Sequence, residues 1–505
     1  MALACELLHD DDCYLALKAR DARFDGRFFT GVLSTGIYCR PVCAVRTPLR
    51  RNCRFFGHAA QAEDAGFRPC LRCRPELAPH SVAWSVQDAA FILAHQAARL
   101  LDEPQGWGDA APSIHRLAER LGVSTRHVRR LFEAHFGVTP LQYLQTRRLL
   151  SAKQLLTDTG LPVAQVALLS GFASVRRFNA AFAQHYRLNP TALRRQGEGR
   201  PAGDSIGLHL GYRPPYDAAA MLEFIGRRSI NAMEFVALGP DGPWAARTFA
   251  TQSGGQAHAG WLRVCFAPAR SQLLLQVSES LLGVLPLVLR RVRAWLDLDA
   301  DPAAINAVLE ASFPGAGGLR VPGTLDGFEL AVRAVLGQQV TVAAARTLAG
   351  RLVERLGAPV QTPWPQLQRL FPPAAVLAEA GDALGALGIV RQRQAALVAL
   401  ARAVAEGTLA LHGGADVAAT VARLKALPGI GDWTAQYIAM RALGWPDAFP
   451  AGDVALQRAL GVQGLPRPDR QAEAASLAWK PWRSYAVVRA WHGLAPAPPK
   501  AAPPL

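Results

Sequence analysis

The sequence predicts a multidomain protein, mainly α with α+β parts, and three observations carry that prediction. At 505 residues the chain exceeds what one compact core accommodates, so it should divide into about three or four domains. Breaker-rich stretches mark the divisions: "LDEPQGWGDAAPS" at 101–113, "RRQGEGRPAGDS" at 194–205, and "APAPPKAAPPL" at the end. Patterning changes along the chain, from a cysteine-rich opening to two helix-turn-helix patterns within 113–190. Mixed strand and helix signals follow, including "WLRVCFAP" and "SQLLLQVS", and then long Ala/Leu-rich amphipathic helices. The expected domains are 1–80, 85–197, 205–310 and 311–495, with 496–505 a disordered tail.

Composition narrows the function classes. Half of the residues are hydrophobic, ample for packed cores, yet no apolar run is long enough to span a bilayer. The opening "MALACELLHDDDCYLALKARDARFDG" carries acids where a secretory signal needs a basic and then an apolar segment. A cytoplasmic location is therefore expected, where paired cysteines serve as metal ligands or reactive thiols more often than as disulfides. The formal charge is +16 and the pI about 10.1, with lysine only at Lys18, Lys153, Lys425, Lys480 and Lys500. Such an arginine excess points to nucleic acid, although a GC-rich genome also enriches arginine. Its distribution favours nucleic acid, since residues 104–200 hold 14 Lys+Arg against 5 Asp+Glu.

In the first domain "TGIYCRPVCAVR" sets Cys39 and Cys43 in a basic loop, and "FRPCLRCRP" supplies Cys70 and Cys73. Two close pairs let four sulfurs face one ion, which is the ligand pattern of a tetrahedral zinc site; four unrelated buried thiols is the alternative. Cys5, Cys13, Cys53 and Cys265 lack such pairing and read as ordinary thiols. Zinc held by four thiolates carries a net charge of about −2, so its sulfurs stay electron-rich, and an accessible one can attack an alkyl carbon. "STGIYCRPVCAVRTPLRRNCRFF" and "EDAGFRPCLRCRPE" resemble the amino-terminal domain of the Ada adaptive-response family. The resemblance implies that Cys39 takes a methyl group irreversibly from a methylphosphotriester in DNA, and that Cys43, Cys70 and Cys73 complete the zinc set. Thr35, Arg46 and Arg68 are then the expected phosphate contacts. Ala44 departs from the pattern, which has arginine there in the best-known member.

"SIHRLAERLGVSTRHVRRLFEAHFGVTP" and "VAQVALLSGFASVRRFNAAFAQHYRLNP" each read as a helix, a tight turn and a second helix, capped by Ser124 and Ser174. The second helices expose Arg126, His127, Arg129 and Arg130 in one unit and Arg176 and Arg177 in the other, suiting entry into a major groove. A plain helical bundle with a basic face is the other reading. Together the two units resemble the AraC-type DNA-binding domain over about 85–197.

Toward the carboxy terminus, "LKALPGIGDWTAQYIAMRALGWPDAFPAGDVALQRALG" holds a glycine hairpin, "LPGIG", between two helices. Gly429 and Gly431 allow backbone amides to approach a phosphate, and hairpin carbonyls could hold a monovalent cation. An ordinary helix connection fits the hairpin as well, and Asp453 ahead of the next helix could be only an N-cap. This region resembles the helix-hairpin-helix DNA glycosylases, and within them the AlkA-type 3-methyladenine glycosylases. That likeness extends to "YRPPYDAAAMLEFIGRRSI", "LRVPGTLDGFELAVRAVLGQQVTVAAART" and "WKPWRSYAVVRAWHG", covering about 205–495. It implies an α+β amino-terminal domain, an all-α glycosylase domain, and Asp453 as the acid that drives cleavage of the N-glycosidic bond. Trp433, Tyr437 and Trp491 line the base pocket by that match, with Phe224 a contributor from the preceding domain. Gln339 takes the place of a leucine that fills the gap left by the flipped base, and Val454 stands where the best-known member has tyrosine. Trp433 occupies the position of the lysine used by strand-nicking relatives, so base release should leave an abasic site. No cysteine follows Cys265, which excludes the four-cysteine iron–sulfur cluster of the endonuclease III branch.

The resulting expectation is an alkylation-damage protein acting on double-stranded DNA, both promoter and damaged, with one zinc ion. A regulator of this kind also implies RNA polymerase as a partner, a monomeric state, and a bacterial cytoplasmic, nucleoid-associated location. Repair of O6-methylguanine is not expected, because no "PCHR" loop is present. Two alternatives remain: a regulator whose glycosylase half is weak or inactive and only grips DNA, and a glycosylase whose front half merely targets it to DNA.

Overall fold

The computed structural model describes residues 9–80, 89–102, 112–196, 205–239, 242–253 and 255–494. Most of the two expected breaks, at 103–111 and 197–204, and the tail at 496–505 lie outside the described residues. The chain forms two compact units, Met1–Pro302 with Val342–Pro373, and Ala303–Thr341 with Ala374–Leu505. The helix Val342–Leu356 thus belongs with the first unit, although in sequence it falls inside the stretch expected to form the last domain.

Within the first unit, the opening domain is built on a small sheet with strand order Cys53–Phe56, Phe29–Val32, Ile37–Cys39, Arg68–Pro69. Its outermost pairing is parallel, Ile37 beside Arg68 and Tyr38 beside Pro69. That register is what brings the two cysteine pairs together, since Cys39 and Cys70 follow directly on the paired residues.

The helix-turn-helix patterns fold as expected. Ile114–Leu121 is followed by Gly122 at φ 66°, a left-handed residue that ends the helix without steric cost. Ser124 then accepts a hydrogen bond from the His127 amide and starts Thr125–Phe136. The second unit repeats this, Val163–Leu169 leading to Val175–Tyr186, capped by Ser174 through the Arg177 amide. Between them runs Pro140–Asp158, opened by a capping box of Thr139 and Gln142. Phe132, Phe178, Phe182, Leu149 and Leu155 are fully buried, each contributing about 1.5–3 kcal/mol of transfer free energy.

The α+β part is a five-stranded antiparallel sheet, ordered Ser205–Gly211, Gln272–Ser278, Gln256–Ala267, Gly242–Ser253, Glu234–Gly239. Both strand-like runs read from the sequence lie in it. The second unit is all α among its described residues. Its central helix Gly327–Leu336 is buried on nearly every side and packs against Arg391–Ala405 and Asp432–Arg441.

The opening domain and the DNA-reading helices share buried polar groups. Glu63 accepts hydrogen bonds from Tyr38 (3.0 Å), which neighbours Cys39, and from Thr146 (2.8 Å) on the long connecting helix. His185, on the second helix of the second helix-turn-helix unit, lies 3.7 Å from the same carboxyl. Burial raises the Glu63 carboxyl to about 7, outweighing those two hydroxyl donors, which pull it down. Nearby, Lys153 and Arg74 share Glu76, and Arg74 also meets Asp158 at 2.6 Å. Burial would push Glu76 up, but the two cations hold it below the usual range.

A folded state that keeps the Glu63 proton up to about pH 7, against 4.5 for an unperturbed carboxyl, gains stability that is complete below pH 4.5. That contribution is lost as the pH rises toward 7. Denaturant midpoints of wild type and Glu63→Gln between these pH values should therefore diverge. The variant's stability is expected to fall less across the window, by on the order of 3 kcal/mol, because it has no proton to give up.

Candidate functional site

Cys39, Cys43, Cys70 and Cys73 converge, their sulfurs all within 4.8 Å of one another. This is the donor set a tetrahedral metal ion requires. Three of the four are buried and Cys73 is half-buried. Held so close, the four thiols share protons, and the neighbouring sulfurs favour ionisation of Cys70. The Cys70 amide donates to the Tyr38 carbonyl at 3.0 Å, which fixes one pair against the other.

Arg40, which the sequence reading passed over, locks this cluster. Its amide donates to Cys73 Sγ at 3.3 Å, its guanidinium to the Cys73 carbonyl at 3.0 Å, and its Nε to the buried Asp25 at 2.8 Å. The only sequence signal was its place directly after Cys39, where an arginine in a basic loop reads as one of many.

A pocket of about 470 Å³ opens beside the cluster. It is lined by Cys39, Cys43 and Cys70 together with Thr35, Arg46 and Arg68, so the expected methyl acceptor and all three expected phosphate contacts face one space. Thr35 and Arg46 are exposed and Arg68 is half-buried. Ala44 adds no charge, but the exposed Arg20 donates to the Ala44 and Val45 carbonyls at 3.3 and 3.4 Å, which keeps a guanidinium at this loop. Elemental analysis of the purified protein is expected to find one metal ion per chain. Cys70→Ser should lower that occupancy and the melting temperature together, since a structural metal holds its domain folded.

Arg126, Arg129, Arg130, Arg176 and Arg177 are all exposed on their two helices. Val128, Phe132 and Phe178 face the core from the same helices, so the basic and apolar positions separate by face.

In the second unit, "LPGIG" forms the link between Val417–Ala426 and Asp432–Arg441. Gly429 sits at φ 73°, a backbone conformation that favours glycine, and Gly431 caps the second helix. Trp433 and Tyr437 lie one turn apart on that helix with rings stacked, centroids 5.4 Å apart and planes at 19°. Trp491, on Arg483–Gly493, brings its ring within 6.3 Å of Tyr437.

Asp453 is indeed an N-cap, its Oδ1 accepting from the Leu456 amide at 2.7 Å. It is also more than that. Trp433 Nε1 donates to its Oδ2 at 2.9 Å and Trp491 Nε1 to its Oδ1 at 3.0 Å. Two indoles and one amide thus fix the orientation of a half-buried carboxylate against an aromatic wall. The loop behind it is anchored by the buried Asp447–Arg483 pair at 2.7 and 3.0 Å, and by Gln457 donating to the Ala451 carbonyl at 2.9 Å.

Arg441 is another residue the sequence did not single out. It donates to the Tyr437 hydroxyl and, at 2.6 Å, to the Pro322 carbonyl, fixing the ring's tilt. Gln339 is exposed at φ 53° just past Gly327–Leu336, and Val454 is exposed beside Asp453. Phe224 lies in the first unit on Ala218–Arg228, with the Arg228 guanidinium 3.7 Å from its ring centroid.

Four family descriptions match in succession: the metal binding domain of Ada over residues 12–76, and a helix-turn-helix domain over 117–196. The AlkA N-terminal domain then matches over 207–326 and the HhH-GPD superfamily of base excision DNA repair proteins over 332–484. The fold and sites therefore define a class of DNA-binding repair protein that joins a metal-binding cysteine domain and a helix-turn-helix domain to a glycosylase-type fold. The chain is 38% identical over 497 residues to the probable bifunctional transcriptional activator/DNA repair enzyme AlkA of Mycobacterium tuberculosis, covering 96% of this chain and 97% of that one. It belongs to that family. Its carboxy-terminal 56% is 34% identical to DNA-3-methyladenine glycosylase 2 of Escherichia coli, of which 96% is covered. Its amino-terminal region is 38% identical over 141 residues to the bifunctional transcriptional activator/DNA repair enzyme Ada of Escherichia coli, covering 28% of this chain and 37% of that protein. No helix among the described residues is long and apolar enough to cross a membrane.

Proposed function

We propose that this chain excises N-alkylated purines from DNA through its second unit and senses DNA methylation through Cys39. The excision reading rests on one observation above others, the Asp453 carboxylate held by the indole N–H groups of Trp433 and Trp491. A purine alkylated on a ring nitrogen carries positive charge, so its N-glycosidic bond is already weak. When the bond breaks, the electron pair leaves with the base and positive charge develops on the sugar. Asp453 stabilises that oxocarbenium-like sugar and orients or deprotonates the water that adds to it. Trp433, Tyr437 and Trp491 stack on the cationic base once it has left the helix. Gln339, exposed on a left-handed backbone residue, fills the space the base vacates. Amides at the start of Asp432–Arg441, freed by Gly429 and Gly431, hold a backbone phosphate. Carbonyls of the same hairpin are the proposed seat of a monovalent cation. With Trp433 where an amine would be needed for strand cleavage, the product is an abasic site.

At the amino terminus the proposed metal is zinc, held by Cys39, Cys43, Cys70 and Cys73. Its chemistry is to keep four sulfurs as thiolates at neutral pH. The Cys39 sulfur attacks the methyl carbon of a methylphosphotriester; the S–C bond forms as the O–C bond breaks, and the phosphate oxygen leaves with the electron pair as a diester. Thr35, Arg46 and Arg68, facing the same pocket, bind the phosphate. The thioether has one negative charge fewer than the thiolate, so repulsion of DNA falls and the helices bearing Arg126, Arg129, Arg130, Arg176 and Arg177 bind promoter DNA more tightly. Promoter-bound protein would then recruit RNA polymerase, acting as a monomer in the bacterial cytoplasm and nucleoid.

Purified protein is expected to release methylated purines from alkylated duplex DNA and leave alkali-sensitive sites without direct nicking. Asp453→Asn should lower that release by about 10²–10³-fold while leaving DNA affinity intact. Exposure to methylphosphotriester DNA should add one methyl group per wild-type chain and none to Cys39→Ser. The methylated protein should show tighter binding and a changed salt dependence in promoter-DNA titrations.

A further inference from the structure

The loop after Gly327–Leu336 and the "LPGIG" hairpin belong to different stretches of chain, yet one side chain joins them. Gln338 Nε2 donates to the Gly429 carbonyl at 2.9 Å and to Thr434 Oγ1 at 2.9 Å. Gly429 is the left-handed residue of the hairpin. Thr434 is buried, adjacent to Trp433 on the first turn of the following helix. On its other side, the Gln338 backbone carbonyl accepts a hydrogen bond from Arg393. The next residue, Gln339, is exposed and held at φ 53°. A non-glycine residue keeps that conformation only where its neighbours hold it there.

We infer that Gln338 is a positioning residue for base extrusion, setting the distance between the side chain that enters the duplex at Gln339 and the hairpin that grips the phosphate backbone. The inference rests on the glycosylase reading above. Extrusion has two requirements that must be met at once: a phosphate held still, and a side chain placed in the stack where the base was. A displacement of either by about an ångström carries a large rate cost. A primary amide is suited to this junction because its two N–H groups can serve the Gly429 carbonyl and the Thr434 hydroxyl together. A carboxylate of the same size has no donor and would face the Gly429 carbonyl with like polarity. An alanine leaves both acceptors without this partner and releases the loop. Gln338 hydrogen-bonds Gly429, Thr434 and Arg393 rather than Asp453, Trp433, Tyr437 or Trp491, so its influence should be felt in extrusion and not in bond cleavage.

The test compares two substrates. One is a duplex with a single 7-methylguanine paired with cytosine; the other holds the same base unpaired in a bulge, where extrusion costs far less. Single-turnover base release is measured for wild type, Gln338→Ala, Gln338→Glu and Asp453→Asn, with melting temperatures to confirm folding. Both Gln338 variants are expected to lose about ten-fold on the paired substrate and less than about two-fold on the bulge. Asp453→Asn should lose equally on both. Equal losses by the Gln338 variants on the two substrates, or no loss on either, would overturn the assignment while leaving the glycosylase reading intact. If one variant fails to fold, the other still decides. Failure of the wild type to release base from either substrate would overturn the glycosylase reading itself, and this assignment with it.

Discussion

A single buried guanidinium holds the first unit together. Arg213 is 1% exposed and spends all five of its N–H donors on backbone carbonyls. Nε bonds Asp25, Nη1 bonds Asp299 and Ala300, and Nη2 bonds Pro79 and His80, at 2.7 to 3.2 Å. Those carbonyls come from three separate stretches, so one side chain of the α+β domain fastens the opening domain, the end of its cysteine segment, and the loop before the second unit. Burying a charge is tolerable only when every donor is satisfied, and here it is. Burial lowers the Arg213 pKa from its usual value and outweighs the nearby Asp301, Asp299 and Asp25, which pull it up.

The same knot leads to the cysteine cluster. Asp25, whose carbonyl Arg213 binds, pairs through its carboxylate with the buried Arg40, and Arg40 in turn bonds the backbone and sulfur of Cys73. A continuous set of buried polar contacts therefore runs from Arg213, just past the strand Ser205–Gly211, to the cysteine cluster. Glu63 makes a second such set, from Tyr38 next to Cys39 to the connecting helix at Thr146. These contacts pack the cysteine domain, the helix-turn-helix segment and the α+β part together within the first unit. The cysteine loop is thus hydrogen-bonded through Arg40, and the face lined by Thr35, Arg46 and Arg68 borders the pocket.

The second unit solves a different problem. There the Asp453 carboxylate is held in one orientation. Two indole N–H groups and a helix amide do this, and the same indoles supply stacking surface. The wall is stiffened from behind, Tyr437 by Arg441 and the Asp453 loop by Asp447 and Arg483. Aromatic positions that a sequence pattern would assign equally well to core packing are thus committed to one side of a carboxylate.

Local rules were sufficient for much of this. Cysteine spacing was enough to pair Cys39 with Cys43 and Cys70 with Cys73, because ligand loops are short. Ser124 and Ser174 were readable as caps, and the glycine hairpin as a helix link, because caps and turns depend on a few adjacent residues. The exposed arginines followed from helical periodicity. What local rules could not supply were contacts between residues far apart in sequence. The parallel register of Ile37–Cys39 with Arg68–Pro69, the two indoles on Asp453, the Arg40 lock, the Gln338 bridge and the placement of Val342–Leu356 with the first unit all depend on how distant segments pack. Residue types and spacing determine which groups are available and which face of an element they occupy. Only the tertiary structure decides which of those groups meet, because a hydrogen bond between residues 38 or 91 positions apart is set by the packing of the whole core and not by any local preference.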